Sequence, residues 1–209
     1  MRLQRIATLT ALAAVAALSI AGVPGAGAAP QSCAPGGATI LRSSDASRVY
    51  SLRAVLYACL GAERVRLGPL TARASGGRVD RYALAGPCVG FDLVQTGIDT
   101  TDSTVSLIDL DEGSNPVVAI EAARPLPRPV SFVTVTDLAV SSAGIIAWTA
   151  RRGSLGLPAN YQLFAATAEF ENQPAAGPTP FTHIYFGGER STVLHWRVGL
   201  TGAEGSWAS

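Results

Sequence analysis

The chain has no lysine: all 16 of its basic residues are arginine. Together with its load of Ala and Gly, this absence reads as a bias of genome composition and not as function. Two of the sixteen, Arg2 and Arg5, lie in the first few residues, so 14 basic residues face 15 acidic ones in the rest, a net charge of −1. That balance gives no electrostatic case for binding nucleic acid or an anionic membrane surface. Histidine occurs twice and cysteine three times, and their spacing matches no zinc-ligand pattern. No Gly-x-Ser-x-Gly elbow is present. The Gly pairs starting at Gly36, Gly76 and Gly187 sit in turns with no helix after them, so they are not phosphate loops. No catalytic, cofactor-binding or metal-binding residue is therefore assigned, and no cofactor is expected.

Only the start of the chain is continuously apolar. Arg2 and Arg5 precede an uncharged run from Ile6 to Val23, and Ala26-Gly27-Ala28 follows. This is the three-part layout of a secretory signal, cleaved at residue 28. Pro30-Gln31-Ser32 lacks the small and aliphatic residues that lipid attachment at Cys33 would need. No later run is long or apolar enough to span a bilayer. The expected mature chain, residues 29–209, has about 180 residues, enough for a single domain with a real core. It is expected to be secreted, outside the cell.

An exported chain meets an oxidising environment, so Cys33, Cys59 and Cys88 imply one disulfide and one spare thiol. Three pairings can be drawn, and spacing does not decide among them. Cys33–Cys59 is favoured because it would tie a loose N-terminal segment to the first clear strand. Cys88 then stays a buried free thiol.

After the leader, strand signals dominate. Apolar runs of five to eight residues are cut by Gly, Pro, Asp, Asn and Ser clusters. Pro125 and Pro127 stop the helix-like "EAARPLP" within a turn. Four segments line up, beginning at Val49, Tyr82, Leu138 and Ile184. Each reads as strand, tight turn, apolar strand near an aromatic, and turn. The intervals between starts are uneven, at 33, 56 and 46 residues. A Pro-rich stretch at 115–130 reads as an extended crossing between two halves, and 172–180 as a second loop.

The faces of the strands say how they pack. "GIIAW", ending at Trp148, is apolar on both faces, as expected of a strand covered on both sides. In "STVLHWRV", Leu194 and Trp196 share an apolar face, while His195 and Arg197 lie on a more polar one. That is the pattern of a terminal unit with one exposed side. The expected fold is all-β, a propeller-like array of about four irregular antiparallel units, with a β-sandwich as the alternative.

The hairpin that carries "AGIIAW", followed by a strand and a turn such as "DLDEG", resembles blades of TolB-like and quinoprotein-like β-propellers. The mature chain more closely resembles a group of small secreted actinobacterial proteins. Val49 to Cys59, Leu84 to Phe91 and Ala143 to Trp148 carry that resemblance. It implies the fold and the Cys33–Cys59 pairing, and it carries no assigned activity. At Cys88 this chain departs from the polar residue the pattern tends to have.

Few residues could do chemistry. His183 and His195 read as ordinary surface or half-buried histidines, since geometry and not composition defines a triad. Ser154, within Gly153–Gly156, reads as a loop serine. Asp99, Asp102, Asp109, Asp111 and Glu112 read as polar turns around a strand and lack the order of an EF-hand. Trp207 is expected to pack back on the last unit. The expected function is non-enzymatic binding, or a structural role, with a protein or cell-envelope component as partner. The alternative is a secreted hydrolase with a loop-built site.

Overall fold

Within each of four successive groups of strands, short connections let each strand pair with the one before it. A computed structural model describes residues 33–45, 47–72, 77–123, 131–154, 156–188, 190–199 and 202–208. The proposed leader, residues 1–28, lies outside them. All regular structure among these residues is β-strand. No helix among them is long and apolar enough to cross a membrane.

The strands fall into four antiparallel units. Unit one holds β1 (Thr39–Ser43), β2 (Ser47–Leu52), β3 (Val55–Leu60) and β4 (Glu63–Pro69). Unit two holds β5 (Arg78–Ala85), β6 (Cys88–Thr96), β7 (Thr100–Asp109) and β8 (Pro116–Glu121). Unit three holds β9 (Ser131–Ser141), β10 (Ile145–Ser154), β11 (Asn160–Ala166) and β12 (Glu171–Gly177). Unit four has three strands, β13 (Phe181–Phe186), β14 (Val193–Val198) and β15 (Ala203–Ala208). Units two and three join into one eight-stranded sheet through a short parallel bridge, Thr100–Thr101 of β7 against Ser131–Phe132 of β9.

Three cores lie between successive units. Leu56, Ala58 and Val65 of unit one meet Val79, Val89 and Phe91 of unit two. Val105 and Leu107 of unit two meet Ile146, Trp148 and Phe164 of unit three. Ala147 and Leu163 of unit three meet Phe181, Leu194 and Trp196 of unit four. Alternate residues of one strand therefore serve two cores, as with Trp148 and Ala147 in β10. This is why "GIIAW" is apolar on both faces. A sandwich has two sheets and one core between them; here three sheets and three cores run in series.

The repeated hairpins are the joints of this series. Ser44 and Ser47, at the β1–β2 hairpin, both donate to the Gly86 carbonyl at the β5–β6 hairpin. Gly86 abuts Ser142 of the β9–β10 hairpin, where a Cβ would approach to 2.8 Å. Ser141 donates to the Ser191 carbonyl in the β13–β14 hairpin at 2.7 Å. The first strands β1, β5, β9 and β13 also pack beside one another in order, and every one carries a register shift. The β-bulges add twist where the strands crowd together.

Two stretches read as connections contain strands. In the 115–130 crossing, residues 116–121 form β8, paired with β7; residues 124–130 lie outside the described residues. In the 172–180 loop, residues 171–177 form β12, paired with β11. Both are outer strands, and edges tolerate proline because one row of N–H groups needs no partner. Pro116 opens β8, and Pro174 falls where the β11–β12 register shifts. A further strand, β1, precedes Val49, so the equivalent starts are Thr39, Arg78, Ser131 and Phe181. Their intervals are 39, 53 and 50 residues.

Candidate functional site

The site grows from a fork in the eight-stranded sheet. One edge of β7 is shared: its first residues pair with β9, and Thr104–Ile108 pair with β8. Ala122, just after β8, sits in the fork. Its N–H donates to the Ser103 carbonyl at 2.7 Å, and its carbonyl accepts the Trp148 indole N–H at 2.8 Å. Ser103 Oγ donates to the Val133 carbonyl of β9. Trp148 stacks on Phe164, directly across the β10–β11 pair, with ring centroids 5.1 Å apart.

Beyond Phe164 the same face turns polar. Period-two alternation carries the Trp148 face of β10 through Ala150 to Arg152, and the Phe164 face of β11 to Gln162. Glu121 and Ile120 approach from β8, and Glu171, Asn172 and Gln173 from β12. These groups line a cleft of ≈ 610 Å³ with Phe164 at its floor. Gln162 is only 8% exposed. Its Nε2 donates to Gln173 Oε1 at 3.5 Å, while its own Oε1 has no partner among the described residues. A buried acceptor left unpaired costs about 1 to 3 kcal/mol. A ligand hydroxyl in the cleft would recover that cost.

The polar groups of the cleft are carboxylates, amides and one guanidinium. Among the described residues no Ser, Cys or His lines it, and Glu121 and Glu171 are exposed. Among the described residues no three His, Cys, Asp or Glu side chains are grouped to hold a metal.

The candidate residues named from the sequence lie elsewhere and are not brought together. His183 sits exposed in the bulge of β13 with φ of 53°. His195 stacks on Tyr185, ring centroids 5.1 Å apart. Neither imidazole has a hydrogen-bond partner among the described residues. Ser154 is buried at the end of β10 and so belongs to a strand and not a loop. Asp99 and Asp102 flank the start of β7 in solvent. Asp109 Oδ1 accepts the Asp111 N–H in the turn after β7, a turn that also holds Glu112. Cys33 and Cys59 form a disulfide. Cys88 is buried and free, and burial pushes its thiol up to about 11, with the nearby Asp109 carboxylate adding to the shift. It therefore stays protonated and unreactive at neutral pH. Trp207 packs half-buried on the core between units three and four.

Sequence reasoning missed Gln162, Arg152, Glu121 and Glu171. The available signal was phase: "AWTARR" puts Arg152 on the Trp148 face, and "YQLFAA" puts Gln162 on the Phe164 face.

No family model matches the chain, and no curated protein matches it. Among solved structures, the chain is similar to an alpha-L-arabinanase of Penicillium chrysogenum complexed with arabinobiose. The identity is 11% and the TM-score 0.38. The match covers 81% of this chain and 55% of that one, so this chain spans about half of that protein's length.

Proposed function

We propose that the chain is an exported binding module, a propeller-like array of four antiparallel units, that acts at or outside the cell envelope. Its binding site is the cleft between units two and three, and its ligand is a polyhydroxylated, saccharide-like chain. The observation that carries this reading is the buried Gln162 carbonyl oxygen, unpartnered in a polar cleft. Carboxylates and amide oxygens accept from hydroxyl donors, Arg152 donates to hydroxyl oxygens, and Phe164 offers an apolar floor. The serine-linked hairpins and serial cores support the propeller-like reading. The leader at 1–28 and the hairpin motifs support a place among small secreted actinobacterial proteins. The disulfide fits an oxidising, extracellular setting.

The test is co-sedimentation of the purified mature chain with envelopes isolated from its own source. Saturable pelleting is expected, competed by soluble saccharide fragments of those envelopes. Gln162→Leu should weaken it at least about tenfold, since it removes the buried acceptor. A chain that stays in the supernatant would sink the reading.

One observation favours hydrolysis as a second reading: two carboxylates, Glu121 from β8 and Glu171 from β12, share the cleft. Release of reducing ends from envelope saccharide, lost in Glu121→Gln or Glu171→Gln, would establish it. Both side chains are exposed and lack the enclosure a general acid needs, so binding is the stronger reading.

A further inference from the structure

We propose a second binding site, for a small aliphatic carboxylate, in the pocket where the β2–β3 turn of unit one meets β6 of unit two. The pocket measures ≈ 310 Å³, at the small end of ligand cavities. Arg53 and Arg66 line it together with Thr71, and Val55, Pro69 and Leu93 form an apolar wall. Among the described residues no carboxylate lines it. Neither guanidinium has an ion pair or hydrogen bond among the described residues. Elsewhere on the surface Arg78 pairs with Asp80, and Arg197 with Glu204. An anion seated in the cavity would meet two guanidiniums that no carboxylate of the described residues engages. A guanidinium fork matches a carboxylate with two parallel hydrogen bonds. The apolar wall selects an anion with a short hydrocarbon body over a bare inorganic one.

The backbone supplies an independent sign. The β2–β3 turn has two residues, Arg53 and Ala54, between the paired Leu52 and Val55. Both have positive φ, 51° and 59°. Such turns favour Asn and Gly, because a side chain is strained there. The turn is held in place by the Leu70 N–H, which donates to the Ala54 carbonyl at 2.9 Å. The braced turn holds Arg53 at the pocket rim at a cost in backbone strain that Gly would not incur.

This site is independent of the cleft between units two and three. The test is titration of the disulfide-intact, ¹⁵N-labelled protein with hexanoate, 1-hexanol and inorganic phosphate, followed by amide shifts. Hexanoate should shift Ala54, Val55 and Leu93 saturably; 1-hexanol and phosphate should not. Arg66→Gln should weaken hexanoate binding at least tenfold. Arg53→Gly is the sharper variant: glycine relaxes the turn, so the melting temperature should rise while affinity falls at least tenfold. A failure to bind therefore cannot be blamed on a failure to fold. The proposal is overturned if hexanoate moves none of these amides. Equal binding of hexanol or phosphate, or unchanged affinity in Arg53→Gly, would also overturn it.

Discussion

At one end of the array Cys33, Tyr50 and Cys59 are buried beneath Ala34 and Ala38. At the other, Tyr185 stands 52% exposed beside His195, and Arg197 meets Glu204 in solvent. Both ends face the same problem. A stacked unit has two faces, and the outermost has no neighbour. Unit one covers its outer face with residues 33–38, tied down by the Cys33–Cys59 bond and by Arg64 Nε donating to the Cys33 carbonyl. Unit four instead makes its outer face polar. A covered end keeps Tyr50 buried and stacked on the half-buried Tyr57, ring centroids 5.4 Å apart, but it depends on one covalent tie. A polar end needs no tie, and its side chains contribute little to stability.

The largest effect should come from breaking the covered end. Replacing both Cys33 and Cys59 with Ser opens a loop of 26-residue separation. It should cost about 3 kcal/mol in a urea titration. If the loss is near zero, the cap holds by packing alone and the contrast between the ends is weaker than drawn.

Between the ends, units are buried on both faces, and Asp92 in β6 tests that interior. It is fully buried; its Oδ1 accepts the Arg81 N–H, and its Oδ2 has no partner among the described residues. Burial pushes its carboxyl up to about 6, against the opposing backbone hydrogen bond from Arg81. The folded state then holds a proton that the unfolded chain has released. Stability should fall as pH rises through the window from about 4 to 6, by about 2 to 3 kcal/mol from this group. Other carboxylates contribute their own slopes, so the measured quantity is wild type relative to Asp92→Asn, which keeps the acceptor for Arg81 and carries no charge. A difference that stays flat across this window would show that Asp92 does not titrate there.

Two glycines compare an interior joint with the open end. A Cβ on Gly90 would lie 2.5 Å from Val140 Cγ2 and 2.7 Å from Ile146 Cδ1, between units two and three. Gly90→Ala should cost about 2 kcal/mol, because the added methyl overlaps two side chains packed between units two and three. A Cβ on Gly205 would lie 2.3 Å from the Trp196 ring in unit four. There β15 is an outer strand and can shift, so Gly205→Ala should cost about 1 kcal/mol. Thermal melts of the two variants give the order; the reverse order would place the tighter packing at the end.

The smallest effect belongs to the polar end. Arg197→Ala removes an ion pair whose side chains are 53% and 65% exposed. Its effect should stay within about 0.5 kcal/mol. A larger loss, seen by chemical denaturation, would mean that unit four's outer face is structural after all.

Local pattern made much of this molecule legible before any fold was seen. "GIIAW" had to be covered twice because both of its faces are apolar, and "STVLHWRV" had to be covered once because His195 and Arg197 share a face. The hairpin glycines located three of the joints. The outer strands were harder. β8 and β12 carry Pro116 and Pro174, and β12 is mostly exposed, so neither shows the alternation that marks a half-buried strand. β1 has a single half-buried residue, Leu41, and so gave no apolar signal. Missing it shifted unit one by a strand.

The chain's own residues thus determined the strand class, the near-fourfold repetition and the difference between inner and end units. Each of these follows from alternation and turn chemistry within a few neighbouring residues. Tertiary structure alone decided which units share a sheet, that serine hydroxyls and Gly86 join the hairpins, and that Gln162, Arg152, Glu121 and Glu171 meet in one cleft. Those residues are up to 50 positions apart and come from four strands. Their meeting depends on how far β8 diverges from β9 at the fork, a distance set by packing around Ala122 and Trp148 and by no local pattern.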